Sequence, residues 1–323
     1  MRRTFLKAGT ACGVQMLLGG AHAQPAAGKP MEWVVGFAAG GGSDAVARGV
    51  AETWARQIKR SIVVINKPGA GTNIAAEYVA RSRDYGNIVF TADFATLAAN
   101  PYLFPRLAYN AERDFVPIGL LARFPLLLVV GKQLPIHDFQ EFAAWARAHP
   151  GQLNYGSPGL GTPHHLAMEL LAQQMGVKMT HAPYRGAGPA MLDIIGGQLP
   201  FMLVDSAAGM PHIAAGKVRA IGVASAQRLK SLPQVPTLIE QGVAGFEAFA
   251  WQGLVAPRGT DEATVQLWSG TLQQALNTPA VQARFDALAL EPLPSTPERM
   301  REFWLAERQR WGQVIKTAGI RLD

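Results

Sequence analysis

Three short turns in this chain combine small residues with a hydroxyl or amide at the start of a helical pattern. They are Ala39-Gly40-Gly41-Gly42-Ser43-Asp44, Gly69-Ala70-Gly71-Thr72-Asn73 and Ser157-Pro158-Gly159-Leu160-Gly161-Thr162. A helix start leaves several backbone N–H groups unpaired and carries about half a positive charge. Such a turn holds a carboxylate or phosphate without any basic side chain. Glycine suits it because a β-carbon would keep the ligand off the backbone. Taken singly, each turn reads better as an ordinary helix cap. Three in one chain point to a ligand cleft.

Sharper chemistries fail on the residues. Gly69-Ala70-Gly71-Thr72-Asn73-Ile74 begins like a dinucleotide fingerprint but ends on Ile74, where Gly or Ala is required. No Gly-Lys-Ser or Gly-Lys-Thr supplies a phosphate loop. A hydrolase elbow needs Gly two residues before Ser157, and that position is Tyr155. His164, His165 and Glu169 resemble part of a metal site without an evident third ligand. No catalytic, cofactor-binding or metal-ligating residue is therefore assigned. An exported hydrolase using Ser157 with His164 or His165 stays as the alternative.

The elements that must position these turns alternate in an α/β manner. Strands are expected at Glu32–Phe37, Ile62–Ile65, Ile88–Ala92, Phe124–Gly131, Leu153–Gly156, Phe201–Val204, Val218–Ala224 and within Phe246–Ala256. A helix is expected over Ala45–Lys59, another from Asn73, and a third carrying Leu166, Leu170 and Leu171 on one side. Trp304, Trp311, Val314 and Ile315 give the last helix an apolar face. Because α/β sheets gather ligands beyond the C-terminal ends of their strands, the turns fall where a site belongs. No linker separates two consecutive domains. One lobe is thus expected to be inserted into the other, residues 24–124 and 245–323 forming lobe one and 125–244 lobe two.

The 323 residues suffice for two cores, and 49% apolar with 16% charged residues is ordinary for a globular protein. Lys and Arg are scattered without a basic run, which argues against a nucleic-acid partner despite a net charge of +7. Met1-Arg2-Arg3-Thr4-Phe5-Leu6-Lys7, a short apolar stretch and Ala21-His22-Ala23 read as a twin-arginine-like export signal cleaved after Ala23. The general export route remains open beside the twin-arginine one. Cleavage lowers the charge to +4 and removes Cys12, the only cysteine, so a disulfide or thiol chemistry is not expected.

In order and spacing, these motifs resemble the receptors of tripartite tricarboxylate transporters, the Bug or TctC-like solute-binding proteins. Val35-Gly36-Phe37-Ala38-Ala39-Gly40-Gly41-Gly42-Ser43-Asp44 is similar to the family's first loop. Asn66-Lys67-Pro68-Gly69-Ala70-Gly71-Thr72-Asn73-Ile74 is similar to its second. Leu153-Asn154-Tyr155-Gly156-Ser157, Gly161-Thr162, His165-Leu166, Pro183-Tyr184-Arg185-Gly186 and Asp205 continue the match. The resemblance implies a two-lobed periplasmic-binding-protein (Venus-flytrap, type II) fold in the periplasm. It would act as a monomer, closing on a small organic acid, amino acid or related carboxylate and passing it to permease subunits or to a sensor. On the same ground, Ala39, Gly40, Ser43, Gly71 and Asn73 are expected contacts from lobe one, and Ser157, Thr162 and Asp205 from lobe two. Asp44 either caps its helix or touches the ligand, and Arg185 is either a charge partner or a surface arginine. Trp251 is expected to pack rather than stack on the ligand. The chain departs from the family pattern at Ala38, Gly42, Ser43, Thr72, Pro158 and Leu160, which bears on the ligand more than on the fold.

Overall fold

The computed structural model describes residues 29–322. The expected leader, with Cys12 and the cleavage point after Ala23, lies outside the described residues. Strands β1 (Met31–Val35), β2 (Ile62–Asn66) and β3 (Ile88–Asp93) run parallel in the order β2-β1-β3. Helix α1 (Gly42–Gln57) follows β1, and α2 (Asn73–Ala80) follows β2 after a 3-10 turn at Ala70–Thr72. A π-helical turn (Ala95–Ala99), α3 (Asn100–Leu103) and α4 (Ala111–Asp114) then lead into β4 (Phe115–Gly131). The second parallel group is β5 (Asn154–Ser157), β6 (Thr180–Pro183) and β7 (Phe201–Asp205), ordered β7-β5-β6. Helix α5 (Phe139–Ala148) precedes this group; α6 (Pro163–Met175), α7 (Ala187–Gly196) and α8 (Ser206–Ala214) follow its three strands in turn. After β8 (Val218–Val223) and β9 (Phe249–Pro257) come α9 (Glu262–Leu276), α10 (Pro279–Ala287), β10 (Glu291–Pro292) and α11 (Pro297–Ala318).

Strand β4 ties the two lobes together. Its first part pairs antiparallel with β9 as far as Pro125↔Phe249, and from Leu126↔Asp205 onward it pairs with β7. Pro125 lacks an N–H and so marks the place where the pairing changes. The sequence reading starts this strand at Phe124, but it begins at Phe115. Pro117 and Gly119 look like breakers there, yet they sit at a register shift against β9 that absorbs the missing hydrogen bond. Helix α1 likewise starts earlier than expected, at Gly42 rather than Ala45. Strand β6 has a half-exposed, weakly apolar sequence, Thr-His-Ala-Pro, that gives no strand signal.

Helices cover both faces of the sheet, so its strands are near-continuous apolar runs; β3 is buried at every position. One core, holding Trp33, Trp54 and Trp268, lies under α1, α9 and α10. A second runs unbroken from Phe90 and Phe115 of lobe one to Phe142 and Phe201 of lobe two, closed by Trp304 and Trp311 of α11. A third, around Met191, Met202 and Val204, fills the far side of lobe two.

Candidate functional site

All six parallel strands deliver their C-terminal ends to one cavity of about 880 Å³ between the lobes. Its wall takes Gly40–Ser43 after β1, Ala70–Thr72 after β2 and Phe94 after β3. From lobe two come Pro158 and Leu160–His164 after β5, Gly186 and Ala187 after β6, and Asp205 with Ala207 and Ala208 at the end of β7. The N-cap residues of α1, α2, α6, α7 and α8 (Gly41, Thr72, Thr162, Gly186 and Asp205) all belong to this wall. Helix starts therefore converge on the cavity with their N–H groups and partial positive charge.

In the first loop Gly40 takes φ +82°, the left-handed region open to glycine. Its N–H donates to Asp44 Oδ2 at 2.9 Å. Asp44 also accepts from Arg48 Nε at 3.0 Å and from Asn66 Nδ2 at 3.0 Å, which joins the first loop to the end of β2. Partial burial works against the Asp44 charge, but Arg48, Gly40 and Asn66 outweigh it and hold the carboxyl below its ordinary range. Asp44 is thus occupied with the loop itself and is not part of the cavity wall; Ala39 is not part of it either. Ser43 is in the wall, and its hydroxyl accepts from Gln252 Nε2.

The second loop is a run of left-handed residues, Ala70 at φ +47°, Gly71 at +58° and Thr72 at +74°. For a β-branched residue this is strained, and such strain persists only where neighbours enforce it. They do so here. Thr72 Oγ1 lies 2.7 Å from Thr96 Oγ1, and Asn100 Nδ2 donates to Gly71 O at 2.7 Å. Asn73 accepts from Asn100 at 2.7 Å and from the Tyr109 hydroxyl at 3.2 Å, so it braces the loop from behind and lies outside the wall. Asp93, at the end of β3, lines the cavity and accepts from the Thr96 N–H and hydroxyl. Burial raises its pKa in spite of those donors.

The third loop rests on a buried stack. Ser157 Oγ lies 2.6 Å from His181 Nε2 and donates to Gly159 O at 2.8 Å. The His181 and His165 rings stack at 3.8 Å between centroids, 11° apart. Gly161 N–H donates to His165 Nδ1 at 3.1 Å, which places the proton of a neutral ring on Nε2. Burial, with the charge of His181 second, lowers the His165 pKa to about 3, and burial lowers that of His181 to about 4. Thr162 caps α6 by accepting from His165 N–H, and it lines the cavity; Ser157 is fully buried behind the wall.

Asp205 caps α8 through Ala208 N–H at 3.0 Å and lies 3.4 Å from His164 Nε2. Burial opposes its charge, yet His164 and the Ala208 N–H win and lower its pKa. The hydrolase alternative loses its geometry. The partner of Ser157 is His181 rather than His164 or His165, and neither Ser157 nor His181 reaches the cavity wall. Arg185 is exposed and outside the wall, although Gly186 and Ala187 beside it are inside. Trp251 lines the cavity with a fully buried ring whose indole donates to Glu307 at 3.0 Å. Among the described residues, no group of three or more His, Cys, Asp or Glu is placed to hold a metal. Of the expected contacts, Gly40, Ser43, Gly71, Thr162 and Asp205 meet at the cavity. Asp93, Asn100 and Gln252 are additional polar members that the sequence reading does not find.

Two lobes sharing one crossing strand, with a cavity at the strand ends between them, define a periplasmic-binding-protein fold. The profile of the tripartite tricarboxylate transporter family receptor matches residues 46–320, and the chain belongs to that family. It is 35% identical over 288 residues to the protein of the tcbD–tcbE intergenic region of Pseudomonas sp. strain P51, covering 89% of this chain and 85% of that one. Its fold is similar to R. palustris Rpa4515 solved with adipate, at a TM-score of 0.84 and 33% identity over 91% of this chain and 99% of that one. It is also similar to the periplasmic binding protein BugD, at 0.80 and 32% over 91% and 99%. Proteins of this family are solute-binding receptors, not enzymes.

Proposed function

We propose that this chain is an exported periplasmic receptor that captures a small carboxylate-bearing solute by closing its two lobes and delivers it to a membrane permease. The observation that carries this reading is the convergence of five helix starts from both lobes on one cavity. Helix α1 has no side-chain cap, so its first N–H groups are free to take a carboxylate; α2 also lacks a side-chain cap, although its first N–H, that of Asn73, donates to Ala70 O. The wall holds no lysine or arginine that would otherwise supply this role. A relative with the same fold was solved with adipate.

Closure would pivot where pairing passes from β9 to β7 at Pro125 and Leu126. On that basis residues 24–124 and 245–323 form lobe one, and 125–244 lobe two. The receptor would act as a monomer after removal of residues 1–23. Among the described residues no helix is long and apolar enough to cross a membrane; delivery is assigned to a separate permease.

The test is a thermal-shift screen of residues 24–323 against mono-, di- and tricarboxylates, amino acids and amides, with nucleotides as controls. A ligand at 100 times its Kd stabilises the folded state by about 2.7 kcal/mol. A shift with a carboxylate is expected. No shift with any acid, before and after unfolding and refolding to strip retained ligand, would refute the reading.

A further inference from the structure

Resting on that reading, we propose that Asp93 is a specificity-determining residue of the cavity, taking a protonated amine or a hydroxyl that the solute carries close to its carboxylate. The ionisable side chains of the wall are Asp93 on lobe one and His164 and Asp205 on lobe two. On lobe two an imidazole answers the acid, since His164 Nε2 lies 3.4 Å from Asp205 Oδ2. On lobe one, among the described residues, Asp93 has no lysine, arginine or histidine beside it in the wall. It is only 6% exposed. Its hydrogen bonds gather on one oxygen: Oδ1 accepts from the Thr96 N–H at 3.0 Å and the Thr96 hydroxyl at 2.8 Å, with the Thr72 hydroxyl 3.5 Å away. The other oxygen, Oδ2, has no such partner among the described residues. A buried carboxylate answered on one side only is costly, and a donor arriving with the ligand relieves that cost.

The position of Asp93 says where on the solute this donor must be. Asp93 stands opposite Gln252 in the pairing of β3 with β9. Gln252 in turn donates to Ser43, in the first turn of α1. The N–H groups of that helix start carry no side-chain cap and are open to a carboxylate. The carboxylate subsite and Asp93 thus flank one residue, Gln252, and all three belong to the wall. A plain acid held at α1 would bring its negative charge toward Asp93 with nothing between them. An amine or hydroxyl on the carbon beside the carboxylate fills that gap with a donor, and an ammonium also neutralises the charge. The rest of the solute meets the His164–Asp205 pair, whose imidazole is compatible with a second carboxylate as well as with a neutral end.

Matched triads that keep one carbon skeleton and change only the group beside the carboxylate test this directly. They are propanoate, lactate and alanine; succinate, malate and aspartate; glutarate, 2-hydroxyglutarate and glutamate; and 3-phenylpropanoate, phenyllactate and phenylalanine. In isothermal titration of residues 24–323, the amino or hydroxy member of the best-bound triad should bind at least about tenfold tighter than its plain acid. Asp93→Asn keeps the oxygen that Thr96 uses and removes the charge. It should reduce the preference for an amino member to within about threefold, while the plain acid binds as well as before or better. A uniform loss across the triad in this variant would make Asp93 part of the scaffold and overturn the proposal. Should the variant fail to fold, the triads on the parent protein still decide: a plain acid binding as tightly as its amino and hydroxy partners overturns it. Failure of every triad, with only acids lacking such a donor active in the wider screen, overturns the proposal alone; silence across the whole screen overturns the receptor reading with it.

Discussion

Adding a single methyl group at Gly71 separates loop geometry from ligand contact. At φ +58° an alanine would be strained, but its β-carbon would meet Asn100 Oδ1 at 3.8 Å and Phe104 Cε2 at 3.9 Å, which is ordinary contact. The structural cost of Gly71→Ala is therefore that of a left-handed residue, about 1–2 kcal/mol. Gly86, at φ +78° with no atom within 4 Å of a built β-carbon and outside the cavity wall, gives the matched control. Gly86→Ala should show a similar loss of stability and leave binding unchanged. Because Gly71 lines the cavity, the added methyl in Gly71→Ala should crowd a carboxylate held by the second loop and cost it a hydrogen bond. One hydrogen bond to a charged group is worth about 1.5–3 kcal/mol, so affinity should fall about 10- to 150-fold. Titration calorimetry on the acid that best stabilises the parent reads this directly. Should Gly71→Ala bind within twofold of Gly86→Ala, the second loop does not hold the carboxylate, and the helix-start argument fails for lobe one.

The stack beneath the third loop makes stability depend on pH. His165 and His181 stay neutral in the folded protein below their ordinary value of 6.5, down to about 3 and about 4, whereas in the unfolded chain they take up protons near 6.5. The unfolded state then binds more protons, so stability falls as pH drops from 6.5 toward 4. His181→Asn should flatten that part of the denaturation profile, and an unchanged slope would remove the histidine from the account. At the other side of the cleft, Glu307 accepts the indole N–H groups of Trp251 and Trp311, each at 3.0 Å. Glu307→Ala leaves two buried donors unpaired at about 1–3 kcal/mol each. Urea denaturation should show a loss of about 2–6 kcal/mol, while Glu307→Gln keeps an acceptor and most of the stability; a loss under about 1 kcal/mol in the alanine variant would contradict the buried network.

Much of the fold is legible because buried parallel strands are continuous apolar runs. Ile88–Asp93 and Phe201–Asp205 announce themselves in this way, each within a residue of its expected end. The misses have a common cause. Where a proline or glycine sits at a register shift, as Pro117 and Gly119 do in β4, local propensity reads a break that pairing with β9 overrides. The strand β6 owes its existence to β5 alone, pairing from Asn154↔Thr180 to Ser157↔Pro183, and nothing in Thr-His-Ala-Pro marks it.

The site divides along the same line. The loops could be read from sequence because a turn that opens a helix needs small residues and hydroxyls at fixed offsets. Which way each side chain points could not, because the same residue types serve the ligand and the scaffold. Ser43 and Ser157 both follow glycine-bearing strand ends, yet Ser43 reaches the cavity edge with Gln252, and Ser157 turns inward to His181. Asp44 and Asp205 both sit at helix starts. Asp44 is drawn back by Gly40, Arg48 and Asn66, whereas Asp205 keeps its place in the wall because its partners, Ala208 and His164, lie on the cavity side. Asp93, Asn100 and Gln252 lie on a strand end, a short helix and an antiparallel strand with no glycine signature. They become neighbours of the second loop and of Ser43 only when β3, β9 and the π-helical turn pack together. The loops thus fix where a carboxylate can be held, while residues brought in by tertiary packing fix the charge and shape of the space beyond it.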